Sequence, residues 1–284
     1  MPRERSAEIS RPRPRTAVSS RLVNPNAQRF KNAAARLLAG LPARGTVISP
    51  EVPNDLFQAH RSFYAFAARF AADREVLDLG CGTGYGTADL AKAGARKAVG
   101  IDPDPRSIRY ARRRFRAPGL AFHRASAERL PERLGTFDRI VLGNVLTQLS
   151  DPEAVVSDLG AHLAFDAPDS EIGDGLLIAS VPPILDGQTL AKHRALGARN
   201  PRFLWDWVET LSGHFPRLRL FRCLPPEGVH PDFADPRPSR LSPGDFLFEE
   251  IPIANLDDVG GLAAVFVGSR SAAADQSSSR LGAA

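Results

Sequence analysis

Cysteine is almost missing from this chain of 284 residues: Cys81 and Cys223 are the only two. That is too few for a disulfide scaffold or a cysteine-built zinc site. No apolar run reaches the roughly 18 residues of a transmembrane helix. The opening MPRERSAEISRPRPRTAVSS has no apolar core for a secretory signal. The expectation is a soluble, cytoplasmic protein of a reducing compartment. Lysine is scarce too, confined to Lys31, Lys92, Lys97 and Lys192, so arginine carries nearly all the positive charge. That charge is uneven. Through Arg44 there are ten basic residues against Glu4 and Glu8, a net of +8, whereas the remainder holds 27 basic and 30 acidic residues, a net of −3. A basic body of the kind that grips nucleic acid is not expected, nor is nucleic acid as a partner.

Residues 1–26 mix Arg, Pro, Ser and Glu without periodicity and are expected to form a disordered basic tail. Residues 270–284 are expected to be a second disordered tail. Between them strand and helix signals alternate. EVLDL, KAVGI, LAFHRAS, FDRIVLG, GLLIASV, RLRLFRC and AAVFVGS are short, mainly apolar runs that read as strands. GTADLAKAGA, PRSIRYARRRF and the stretch from Asp151 to Phe165 read as helices. The alternation predicts an α/β fold, a doubly wound and mostly parallel sheet with helices on both faces. Ligands of such sheets sit beyond the carboxyl ends of the strands, at the topological switch point.

The segment VLDLGCGTGYGT, Val76 to Thr87, runs from a strand into Gly80, Gly82 and Gly84 and on into a helix. Alternate glycines permit positive φ and close approach of a ligand to the backbone, and the helix start presents free amides. The spacing misses the dinucleotide fingerprint: a third glycine counted from Gly80 falls on Tyr85, and from Gly82 on Thr87. Asp78, two residues before the loop, repels pyrophosphate and suits a cation.

D-x-G-x-G-x-G resembles motif I of the class I S-adenosylmethionine-dependent methyltransferases. The resemblance implies a seven-stranded Rossmann-like methyltransferase sheet over residues 27–269, with 27–74 as an N-terminal helical cover and 183–243 as a substrate-lid insertion before the last strands. It implies S-adenosyl-L-methionine as cofactor. Asp78, Gly80, Gly82, Gly84 and Tyr85 then lie around its methionine end and backbone. Asp102, closing the second strand, takes the two ribose hydroxyls; its alternative is a helix N-cap. RASAERLP resembles the family's segment after the third strand. It places Ser126 where an acid usually meets the adenine amino group, and Ala127 with its amide toward the ring; a turn is the alternative for Ser126. FDRIVLGNVLTQL resembles the fourth-strand motif, with Asp138 structural and Asn144 near the methionine end. YAFAARFAADREVLDLGCGTGYG, Tyr64 to Gly86, is similar to a run of methyltransferases of polysaccharide and glycan biosynthesis, with Phe63 in place of their arginine.

Many relatives carry Glu-His after the fourth strand, where this chain has Thr147 and Gln148; neither titrates near neutral pH. His60, four residues before Tyr64 and on the same helical face, is the candidate for reaching the acceptor. His193, His214 and His230 match no zinc spacing, so no metal is expected. The acidic turn Asp166, Asp169, Glu171, Asp174 is expected to be a solvated loop. The expected reaction is methyl transfer to an oxygen, less readily a nitrogen, of a small-molecule or glycan-type acceptor. The alternatives are a non-catalytic methyltransferase-like binding protein, an RNA methyltransferase using the basic N-terminal tail, and a nicotinamide oxidoreductase.

Overall fold

The computed structural model describes residues 48–131, 134–164 and 175–269. The two tails, the acidic turn and the 27–47 part of the helical cover therefore lie outside the described residues. Helix α1 (Asp55–Ala68) starts at Asn54, whose side chain accepts the Phe57 amide at 3.0 Å. Then follow β1 (Glu75–Leu79), α2 (Tyr85–Lys92), β2 (Lys97–Asp102), α3 (Pro105–Arg114), β3 (Leu120–Arg124), β4 (Arg139–Gly143), α4 (Pro152–His162) and β5 (Leu176–Val181). The second half comprises α5 (Gly187–Ala195), α6 (Leu204–Ser212), β6 (Arg217–Leu224), β7 (Leu247–Ile251) and β8 (Ala263–Ser269). Helices α3 and α4 share one device, an Asp N-cap followed by proline in the first turn, Asp104-Pro105 and Asp151-Pro152. The carboxylate satisfies an orphan amide, and the proline's missing N–H costs nothing there.

The sheet order is β3-β2-β1-β4-β5-β8-β6-β7. Strands β1 to β5 pair in parallel, and β8 runs antiparallel between β5 and β6. The doubly wound, mostly parallel α/β reading holds, with one correction: the sheet has eight strands, not seven. The extra strand is β7, which hairpins onto β6 at the edge. Its sequence LFEEI is mostly exposed, with Leu247 60% exposed, so it lacks the apolar run of a buried strand. The 183–243 stretch is also not one insertion, because it contains α5, α6 and β6; the long irregular part is the loop 225–242.

Period-two alternation divides the strand residues between two cores. Leu77, Leu79, Ile140 and Leu142 face α4 and α6, where Val155, Leu159, Trp207 and Leu211 lie. Val76, Val141, Ile178 and Val265 face α1 and α2, where Phe63, Tyr64, Phe66 and Leu90 lie. Trp207 is fully buried and anchors α6, whereas Trp205 stacks on Phe203 with ring centroids 4.4 Å apart. Among the described residues no helix is long and apolar enough to cross a membrane.

Chain order passes from β1 outward to β2 and β3, then returns to β4 on the other flank of β1. The switch point therefore lies beyond the carboxyl ends of β1 and β4, where Gly80 and Asn144 stand.

Candidate functional site

Gly80, Gly82 and Gly84 all have positive φ, at 70°, 54° and 84°. Their surroundings differ. A β-carbon on Gly80 would lie 2.5 Å from Val145, and one on Gly84 would lie 2.6 Å from Ala111, so these two are needed for packing. A β-carbon on Gly82 would meet nothing within 4 Å. The loop thus presents open space at Gly82, the position where a bound molecule can reach the backbone. Among the described residues no side chain fills the space beside Gly82. The first-turn amides of Tyr85 and Gly86 find no acceptor among the described residues, as at the start of any helix without a side-chain cap.

Asp102 holds this bend. One carboxylate oxygen accepts the Gly82 amide at 3.0 Å and the other accepts the Asp104 amide at 2.8 Å. It is not the N-cap of α3, since Asp104 takes that place with its bond to the Arg106 amide. A carboxylate has about four lone-pair directions; two remain for a pair of vicinal hydroxyls. Burial raises the Asp102 pKa, and the two amides pull against it.

Asp78 plays another part than the one expected. It is fully buried, with one oxygen accepting the Tyr64 hydroxyl at 3.1 Å and the other accepting Thr87 Oγ1 at 2.6 Å. Burial pushes it up to about 7, against the pull of the two hydroxyls. It therefore fastens α1 and α2 to β1. The Tyr64 ring is committed to packing as well: a β-carbon on Gly86 would fall 2.2 Å from it.

His60 and Tyr85 come together as a pair. The Tyr85 hydroxyl lies 2.5 Å from His60 Nδ1, and the imidazole also hydrogen-bonds the Gly143 backbone. With the Tyr85 hydroxyl donating to Nδ1, the proton of the neutral ring sits on Nε2. Burial pushes His60 down to about 4, so the ring is neutral at neutral pH. Asn144 follows β4 with φ of 59° and an exposed side chain, its amide held by Ser180 Oγ at 3.0 Å. Asn is among the few non-glycine residues that adopt this left-handed conformation readily. Asp138 accepts the Glu75 amide at 2.7 Å, tying β4 to β1.

Ser126 is spent locally, since its hydroxyl accepts the Glu128 amide at 3.2 Å in a turn, and Ala127 packs against the core. Among the described residues no three His, Cys, Asp or Glu side chains converge as a metal site. Sequence reasoning passed over Thr87 and Ser180. Ser180 had a signal, as the one hydroxyl in the apolar strand LLIASV. Thr87 had none without knowing that α2 packs on the Asp78 face.

The family described as "Methyltransferase domain" matches residues 76–165. A probable S-adenosylmethionine-dependent methyltransferase of Mycobacterium tuberculosis is 29% identical over 169 residues, which is 60% of this chain and 57% of that protein. A ubiquinone biosynthesis O-methyltransferase of Methylocella silvestris is 36% identical over 98 residues, covering 34% of this chain and 38% of that one. The chain thus spans little more than half the length of the mycobacterial relative. A Thermotoga maritima S-adenosylmethionine-dependent methyltransferase, described as a possible histamine N-methyltransferase, superposes with a TM-score of 0.55 over 87% of this chain and 98% of its own, at 19% identity. Residues 76–165 are thus similar to the methyltransferase-domain family, and the chain shares the α/β fold of the Thermotoga structure.

Proposed function

We propose that this protein transfers a methyl group from S-adenosylmethionine to an oxygen of a small-molecule or glycan-type acceptor. The observation that carries the cofactor half is the Asp102–Gly82 bend, with open space at Gly82 and two lone-pair directions left on Asp102. A sulfonium nucleoside suits this chemistry: vicinal hydroxyls meet the carboxylate, and free amides meet the amino acid's own carboxylate. When bound, the cofactor supplies a methyl carbon carrying a neutral thioether as leaving group. In this reading Gly80 and Gly84 shape the loop, Tyr85 and Asn144 border the methionine end, and Ser126 and Ala127 border the adenine through their turn.

The protein's remaining task is to orient the acceptor. Thr147 and Gln148 do not supply a base. Tyr85 Oη, its own proton directed at His60 Nδ1, accepts a hydrogen bond from the acceptor's hydroxyl and orients its oxygen, and the hydroxyl proton leaves to water as the methyl is transferred. An oxygen acceptor suits this arrangement, and a relative with a ubiquinone O-methyltransferase name accords with it. Residues 27–269 act as one domain. The loop 225–242 covers the acceptor side, held to the start of α1 by Asp55, which accepts the Asp232 amide at 2.9 Å and the Ser239 hydroxyl at 2.5 Å.

The test is incubation with methyl-labelled cofactor and a panel of hydroxylated aromatics, saccharides, amines and transfer RNA. Label on an oxygen of a small molecule or saccharide is expected. Label on transfer RNA, or on none of the panel with cofactor bound, overturns the acceptor half.

A further inference from the structure

The net charge of −3 after Arg44 conceals a strongly basic face. From Pro105 to Ala127 there are seven arginines and not one Asp or Glu. All seven, Arg106, Arg109, Arg112, Arg113, Arg114, Arg116 and Arg124, are exposed. None forms an ion pair among the described residues. Five of them line a groove of about 410 Å³ with Pro105 and Ile108. The groove runs along the outer side of α3 to β3, the edge strand of the sheet.

Helix stability does not explain this placement. Cations in the last turn complement the macrodipole, which accounts for Arg112, Arg113 and Arg114. Arg106 and Arg109 stand nearer the positive end. The pairs Arg106–Arg109, Arg109–Arg112 and Arg109–Arg113 have the three- and four-residue spacings at which like charges repel.

We propose that this face of α3 and β3 binds the phosphodiester backbone of a nucleic acid, a function separate from methyl transfer. Guanidinium forks match phosphate oxygens two at a time. Spacing along one helical face sets the cations about 5–6 Å apart, close to the repeat of successive phosphates. A small anionic metabolite fits less well, because ligand sites for such molecules bury their donors and all of these are exposed. A membrane fits less well, because interfacial helices carry large apolar residues to insert, whereas the exposed large apolar residues Leu196, Phe233 and Leu247 all lie outside this helix. Guanidinium contacts to phosphate oxygens position a nucleic acid without reading its bases, so the backbone contacts proposed here carry no sequence preference.

The experiment is fluorescence polarisation of a labelled RNA hairpin with the full chain at several salt concentrations. Arg109→Glu, Arg113→Glu and Arg116→Glu are combined in one variant, and Arg11→Glu, Arg13→Glu and Arg15→Glu in a control with the same charge change. Wild type is expected to bind. The α3 variant is expected to lose roughly 100-fold in affinity near 0.1 M salt, with the salt slope reduced by about two to three. Thermal melting and binding of demethylated cofactor report that the variant remains folded. Failure to bind RNA overturns the proposal, as does wild-type affinity in the α3 variant with the loss confined to the control. Affinity for phosphatidylglycerol vesicles without affinity for RNA also overturns it. None of these outcomes bears on cofactor binding.

Discussion

The Tyr85 hydroxyl and His60 Nδ1 lie 2.5 Å apart, joining the start of α2 to the middle of α1 above the end of β4. Because the hydroxyl fills the lone pair of the neutral ring, it opposes protonation. Carbon-detected NMR of His60 is expected to show a titration near 4. Tyr85→Phe removes the donor and is expected to raise that value. A titration near 6.5 in the wild type would contradict the buried pairing of the two side chains.

His60 and Asp78 pull stability in opposite directions over one pH range. The His60 value falls from 6.5 to about 4 on folding, so its contribution is full above 6.5 and is lost as pH falls toward 4. The Asp78 value rises from 3.8 to about 7, so the folded state gains stability as pH falls from 7 toward 4. Asp78→Asn is expected to steepen the loss of stability on acidification relative to wild type. His60→Gln is expected to make it shallower. Each difference is of order 2–4 kcal/mol across the range. Denaturant unfolding at pH 4.5 and pH 7 measures both, and shifts of the same sign in the two variants would contradict the assignment.

Two glycines, Gly82 in the loop and Gly86 in the first turn of α2, separate packing from binding. Gly86→Ala sets a β-carbon 2.2 Å from the buried Tyr64 ring and is expected to cost about 1–3 kcal/mol or more by overpacking. Gly82→Ala meets open space, so only its positive φ is strained, at about 1–2 kcal/mol. Yet Gly82→Ala is the change expected to weaken cofactor binding by roughly tenfold or more, through the methyl placed in the cradle. Urea unfolding paired with titration of demethylated cofactor distinguishes the two. A Gly82 variant that binds as wild type would move the ligand elsewhere.

Much of this was legible in the sequence because the signals are local. Gly80, Gly82 and Gly84 announce a bend that only glycine adopts without strain, and Asp102 at the end of a strand announces a carboxylate at the switch point. The parallel core was legible because strands buried on both faces read as apolar runs. What was hidden depends on packing between distant segments. Asp78 read as a residue at the methionine end of the cofactor, and only the approach of Tyr64 and Thr87 shows its carboxylate fully buried between two helices. Strand β7 was hidden because an exposed edge strand carries no apolar run. The arginine face was hidden by a sum: acids elsewhere in the chain cancel its charge on paper but lie outside the 105–127 stretch.

The most direct test is calorimetric titration of demethylated S-adenosylmethionine into wild type and Asp102→Ala. One-site binding is expected for wild type, with a loss of about 10- to 100-fold on removing the charged acceptor of the ribose hydroxyls. Absence of heat at millimolar ligand, or an Asp102→Ala variant that binds as tightly as wild type, would contradict the account.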